Sequence, residues 1–161
     1  MSQTVSETIE ISVPPRVAYD AVTNVAEMGR WSAECTGADV PQGARAVHVG
    51  MRFTGRNSSE LKPRPWTTNC TVTAADPGER FTFSVARIGL AISIWSYRFE
   101  PTDDGQGTKV TETWTDTRGR AMLFIGPKVS GIHGRATHNR QGMKVTLQRL
   151  KETLEAAHRS A

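Results

Sequence analysis

The chain has 161 residues, 37% of them hydrophobic and 22% charged, with a net charge of +4. That length and balance suit one soluble domain with a single core, over residues 1–161, and carry no mark of a disordered chain. No apolar run is long enough for a membrane span. Met1 to Thr8 carries neither the basic flank nor the apolar stretch of a secretory signal, so a cytoplasmic protein is expected.

The chain opens on an alternating run. Val5, Ile9, Ile11 and Val13 share one parity between polar residues, which predicts a half-buried strand. Pro14-Pro15 ends it, and Pro15 suits the first turn of a helix whose apolar side is Val17, Ala18, Ala21 and Val22. Asn24 then has the chemistry of an N-cap for a second short helix, Val25 to Trp31.

A weak strand is expected over Glu34 to Val40, then an alternating one over Met51 to Asn57 with Met51 and Phe53 inward. Asn57 to Pro65 reads as a polar, proline-containing loop. The next strand puts Trp66, Thr68, Cys70, Val72 and Ala74 on one side. Asp76-Pro77-Gly78 is a turn, and Phe81, Phe83 and Val85 mark the strand after it. Ile92 to Pro101 follows, with Trp95, Tyr97 and Phe99 on one face. Asp103 to Gly107 is a hairpin turn. The last strand, Thr108 to Asp116, turns Val110, Glu112, Trp114 and Asp116 inward and threonines outward. Threonine-rich outer faces suit an antiparallel sheet with one wet face.

A long helix is expected over about Val129 to His158, after Gly126-Pro127 and Gly131. Its apolar stripe is Ile132, Ala136, Met143, Leu147, Leu150 and Leu154, with Lys144 and Lys151 towards water. Asn139 and Arg140 flank that stripe. The organisation is α+β: a strand, two short helices, about six further strands and a helix that closes one face of the sheet.

The inward set suggests a ligand space. Phe81, Phe83 and Phe99 read as core, because aromatics on inward strand positions usually are. Phe53, Trp66, Trp95, Tyr97, Trp114 and Met143 are the candidate cavity residues; a buried indole wants a hydrogen-bond partner that a cavity supplies. Glu112 has two explanations. It is either half of an ion pair with Arg140 or another cation, or a carboxyl in a cavity between sheet and helix, where Asn139 and Arg140 also point. The segment from Arg118 to Gly134 holds Met122, Leu123, Phe124 and Ile125 between glycines. It reads as a lid over the cavity or as a packed connector.

Other chemistry is poorly supported. Cys35 and Cys70 form no redox or metal motif and are expected to be reduced and packed. His48, His133, His138 and His158 lack ligand spacing, so no metal site and no cofactor are expected. No nucleophile elbow, phosphate loop or zinc motif is present. The basic cluster Lys128, Arg135, Arg140, Lys144, Arg149, Lys151 and Arg159 reads as a solvated helix face, and nucleic acid is not an expected partner.

Several stretches share their wording with one superfamily. "IEISVPPRVAYDAVTNVAEMGRWSAEC", "FTGRN", "WTTNCTVTAADPGERFTFSV", "IWSYRFEPTDDGQGTKVTETW" and "NRQGMKVTLQRLKETLE" together cover nearly the whole chain. The chain resembles the START-like helix-grip (SRPBCC) superfamily, in its polyketide cyclase/dehydrase and lipid transport branch. The resemblance implies a curved antiparallel sheet of about seven strands around the C-terminal helix. It also implies a deep hydrophobic cavity for a lipid, polyketide or similar small molecule, and it adds Trp31, at the end of the second short helix, to the ligand-facing set. Fold alone does not decide function. The expected role is binding or transport of a small hydrophobic or amphipathic ligand. One alternative is a cyclase or dehydratase, with Glu112 or His133 as acid/base and Arg140 steadying an enolate oxygen. The other is a protein- or RNA-interaction module using the basic helix face.

Overall fold

The structure is a computed structural model that describes residues 3–44, 46–60, 62–119 and 134–161. Seven antiparallel strands form one curled sheet. They are β1 (Thr4–Ile11), β2 (Cys35–Asp39), β3 (Arg52–Ser59), β4 (Lys62–Asp76), β5 (Arg80–Arg87), β6 (Leu90–Pro101) and β7 (Thr108–Asp116). The spatial order is β1-β7-β6-β5-β4-β3-β2. From β2 to β7 each strand lies beside its chain neighbour, and β1 joins the far edge by pairing with β7 from Thr4↔Thr115 to Ile11↔Thr108. Helix α1 (Pro15–Thr23) and a 3-10 helix (Val25–Arg30) follow β1, and helix α2 (Arg135–Arg159) ends the fold. This is the helix-grip arrangement.

Local chemistry sets the element ends. Pro15 occupies the first turn of α1, where a missing N–H costs nothing. Asn24 stands between α1 and the 3-10 helix as expected, but its side chain makes no capping hydrogen bond. The 3-10 helix packs so closely on β2 that a Cβ on Gly29 would lie 2.3 Å from the Thr36 carbonyl oxygen. Only glycine fits there.

Three expectations are corrected. Asn57 to Pro65 is not a loop: β3 runs to Ser59 and β4 begins at Lys62. Between residues 62 and 68, β4 pairs with β3 alone, because its ladder with β5 starts at Asn69↔Ala86. A strand with one open side has room for prolines. In the same strand a register shift between Val72 and Ala74 makes Ala75, not Ala74, the residue packed on the core. Finally, α2 begins at Arg135. Gly134 has a φ of 69°, a left-handed conformation that breaks any helical run through it. Residues 129–133 lie outside those described.

The core gathers where α1 and the second half of α2 meet the sheet. Ile11, Val13, Val22, Phe81, Phe99, Val110, Leu147 and Leu150 are buried together there. The Tyr19 and Phe99 rings meet edge to face, 5.6 Å apart. Lys144 is exposed as expected. Lys151 is half-buried: its Nζ donates to the Glu10 carbonyl at 2.7 Å, while the Ser12 N–H donates to Glu155 at 2.9 Å. Two α2 side chains thus satisfy backbone groups at β1 and just beyond it, groups that would otherwise face water. No described helix is long and apolar enough to cross a membrane.

Candidate functional site

The first half of α2 stands off the sheet and leaves a pocket of about 1190 Å³. Its floor comes from inward positions of β3 to β7: Phe53, Trp66, Cys70, Phe83, Val85, Trp95, Tyr97, Glu112 and Trp114. Its roof is one face of α2, with His138, Asn139, Gly142, Met143 and Thr146. Met28 and residues 32–35 close one side, and the β5–β6 hairpin with Arg87, Ile88 and Leu90 forms part of another. A strand alternates its side chains at every residue and a helix repeats every 3.6, so both periodicities aim a fixed subset at this space.

One cross-strand row of polar residues runs along the sheet here. Tyr97 on β6 is opposite Glu112 on β7, which is opposite Glu7 on β1. The Tyr97 hydroxyl donates to Glu112 Oε1 at 2.6 Å. Glu112 is 2% exposed, and burial pushes its carboxyl up to about 8, with the Tyr97 hydrogen bond pulling the other way without cancelling it. Burial, and then the neighbouring Glu112 charge and hydrogen bond, hold the Tyr97 hydroxyl well above its ordinary value. Near neutral pH both groups are therefore uncharged. Two buried atoms here have no hydrogen-bond partner among the described residues: Glu112 Oε2 and Asn139 Nδ2, the latter on a residue 3% exposed.

The expected residues separate into those in the pocket and those outside it. Phe53, Trp66, Trp95, Tyr97, Glu112, Trp114, Asn139 and Met143 line it. Arg140 does not. One step round the helix from Asn139, it is half exposed and bonds Glu7 at 3.2 Å, so it makes no pair with Glu112. The cation falls to the more exposed of the two facing carboxylates, where burying a charge costs less. Trp31 is also absent from the lining. It is 3% exposed within the core cluster, with the Arg30 guanidinium 5.8 Å from its ring centre. The segment expected to be a lid, apart from Arg118, Gly119 and Gly134, lies outside the described residues, as does His133.

Several lining groups carried no sequence signal. Arg135 at the start of α2 pairs with Glu34 at 2.8 Å across 101 positions, bracing the pocket edge. Arg118 pairs with Asp116 at 2.6 Å just past β7. Lys62 lies 4.2 Å over the Trp66 ring, and burial, then Arg87 and Arg135 nearby, lower its ammonium. Cys35 and Cys70 are free and both face the pocket. Burial pushes the Cys70 thiol up to about 11, which leaves it a poor nucleophile. Thr68 and Cys70 lie on the face of β4 that alternation shares with Trp66.

The basic face of α2 is largely engaged within the molecule. Besides the Arg135 and Arg140 pairs, Arg149 donates to the Ser32 carbonyl and Lys151 to the Glu10 carbonyl. Among the described residues, no group of three or more His, Cys, Asp or Glu side chains is placed to hold a metal ion.

Comparison with known proteins bears on this geometry. The family model described as polyketide cyclase/dehydrase and lipid transport matches residues 2–155. A solution structure of a Polyketide_cyc-like protein from Corynebacterium glutamicum is 29% identical, with a TM-score of 0.66 over 98% of this chain and 94% of that one. A Mesorhizobium loti protein is 19% identical, with a TM-score of 0.64 over 96% of this chain and 98% of its own. A Mycobacterium smegmatis protein is 18% identical, with a TM-score of 0.66 over 96% and 92%. These last two share the fold. No curated protein matches the sequence.

Proposed function

The chain belongs to the polyketide cyclase/dehydrase and lipid transport family, and from that membership and the pocket we propose that it binds a small apolar or amphipathic molecule between the sheet and α2. The carrying observation is the pocket itself: about 1190 Å³ between sheet and helix, lined by three indoles, two phenylalanines and Met143. Ligand sites of drug-sized molecules run to about 1,000 Å³ and are mainly apolar with a few polar groups, which is the composition here. Phe53, Trp66, Trp95, Tyr97, Glu112, Trp114, Asn139 and Met143 are the proposed contact residues.

One observation favours a second reading. A buried carboxyl that holds its proton to about pH 8 has the property of a general acid, so Glu112 suits a cyclase or dehydratase step. Arg140, turned to Glu7, leaves no enolate-stabilising role for itself.

Native mass spectrometry of protein purified from its own host tests the binding reading, together with titration of a solvatochromic apolar dye. A released small molecule, or dye binding that shifts tryptophan emission and is competed by lipids, is the expected result. No adduct and no dye binding would defeat it. Turnover of a cyclisable polyketide mimic that is lost in Glu112→Gln would favour the enzyme.

A further inference from the structure

Buried polar side chains are almost always hydrogen-bonded, and the exceptions call for a reason. Among the described residues the pocket has two exceptions on facing elements, Glu112 Oε2 on β7 and Asn139 Nδ2 on α2. Their chemistry has the same sense. Oε1 of Glu112 already accepts the Tyr97 proton. In the neutral acid the remaining oxygen, Oε2, carries the hydrogen and is a donor. The Asn139 Nδ2 is a donor as well. What these two atoms lack is an acceptor.

We propose that Glu112 and Asn139 are a donor pair for an oxygen acceptor of the bound molecule, so that the ligand is a neutral carbonyl compound, a ketone, quinone or ester, with its C=O at this point of the pocket. This rests on the proposed binding role and names the ligand class for it. A carbonyl oxygen has two lone pairs and can take both hydrogens, while the indoles and Met143 accept its apolar body. Among the described residues no cation bonds Glu112 or Asn139, so the pair offers hydrogen bonds without a counter-charge.

The donor at Glu112 exists only while the carboxyl is protonated. Ionisation would put a negative charge against the ligand oxygen. Burial places that change at about pH 8, so ligand affinity falls as pH rises through that value. Other charged and titratable side chains surround Glu112 on the elements packed about it. Tyr97 stands beside it on β6, and Glu7 opposite it on β1 is held by Arg140 of α2. Asp116 on its own strand is paired with Arg118, while Arg135 and His138 line the pocket from α2 and the Cys35 and Cys70 thiols from β2 and β4. Glu112→Gln separates Glu112 from all of these. Its Oε1 can accept from Tyr97, and its Nε2 donates at every pH.

The test uses two fluorescent probes of one shape, the ketone propionyl-dimethylaminonaphthalene and its propyl analogue without the carbonyl. The wild-type protein at about pH 6.5 should prefer the ketone by about tenfold, the worth of one to two good hydrogen bonds. That preference should fade by about pH 9.5, one and a half units above the Glu112 value, where fewer than a tenth of the carboxyls stay protonated. Glu112→Gln should keep it at both pH values, Glu112→Leu should abolish it, and Asn139→Leu should weaken it severalfold. Equal affinity of the wild-type protein for ketone and hydrocarbon would overturn the donor pair while leaving apolar binding intact. A pH dependence that persists in Glu112→Gln would overturn the part assigned to Glu112. If neither probe binds, the binding role falls and the donor pair with it.

Discussion

Replacing Glu112 by glutamine should stabilise the protein at neutral pH. In the unfolded chain this carboxyl ionises near 4.5, whereas in the fold burial raises it to about 8. Between those values the folded form holds a proton that the unfolded chain has released, so stability falls as pH rises across the window and levels off above it. At about 1.4 kcal/mol per pH unit the full window is worth roughly 5 kcal/mol, and at pH 7 about 3 kcal/mol of it is already lost. Glutamine has the same shape, keeps the Tyr97 hydrogen bond and never ionises. Urea denaturation of both proteins at several pH values is the assay. The variant should be more stable by about 3 kcal/mol at pH 7, and the two curves should converge near pH 4.5. A variant less stable by the 3–5 kcal/mol expected on breaking a buried ion pair would refute the reasoning, as would a gap that does not change with pH.

Two further substitutions separate core from surface. Leu147→Ala empties a fully buried position under the sheet and should cost about 2–5 kcal/mol, read as a fall in the denaturation midpoint. Arg140→Ala removes an ion pair whose arginine is 51% exposed, so it should cost no more than about 1 kcal/mol. It should also leave the affinity for apolar dyes unchanged; a large loss of dye binding would return Arg140 to the site.

The face of each strand was legible wherever the ladder runs unbroken. β7 pairs with β1 and β6 without a register shift, so simple alternation correctly turns Val110, Glu112, Trp114 and Asp116 inward. β4 carries a bulge, and there alternation fails by one residue at Ala74 and Ala75. On α2 the helical wheel places Asn139 and Arg140 on the rim of the apolar stripe. Which of them enters the pocket depends on Glu7 standing next to Glu112, a relation between residues over a hundred positions apart. No local pattern encodes that register. The same holds for Arg135 and Glu34, whose pairing depends on how α2 meets the turn after the 3-10 helix. Trp31 is apolar enough for either core or pocket, and only packing assigns it to the core.

The pairing of β1 with β7 at one edge of the sheet has a kinetic meaning. The Thr4 and Thr115 hydroxyls that meet across this ladder are 111 positions apart. A ribosome adding 5–20 residues per second needs roughly 5–20 s to make the partner strand after the first has emerged. Through that interval the first strand has no ladder to join, and an alternating strand with two isoleucines on one face is a ready template for pairing with a neighbouring chain. The long loop that this contact closes also places the fold among the slower folders of its size. A circular permutant that carries β1 directly after β7 would turn the slowest contact into a hairpin, and should refold faster with the same final ladder.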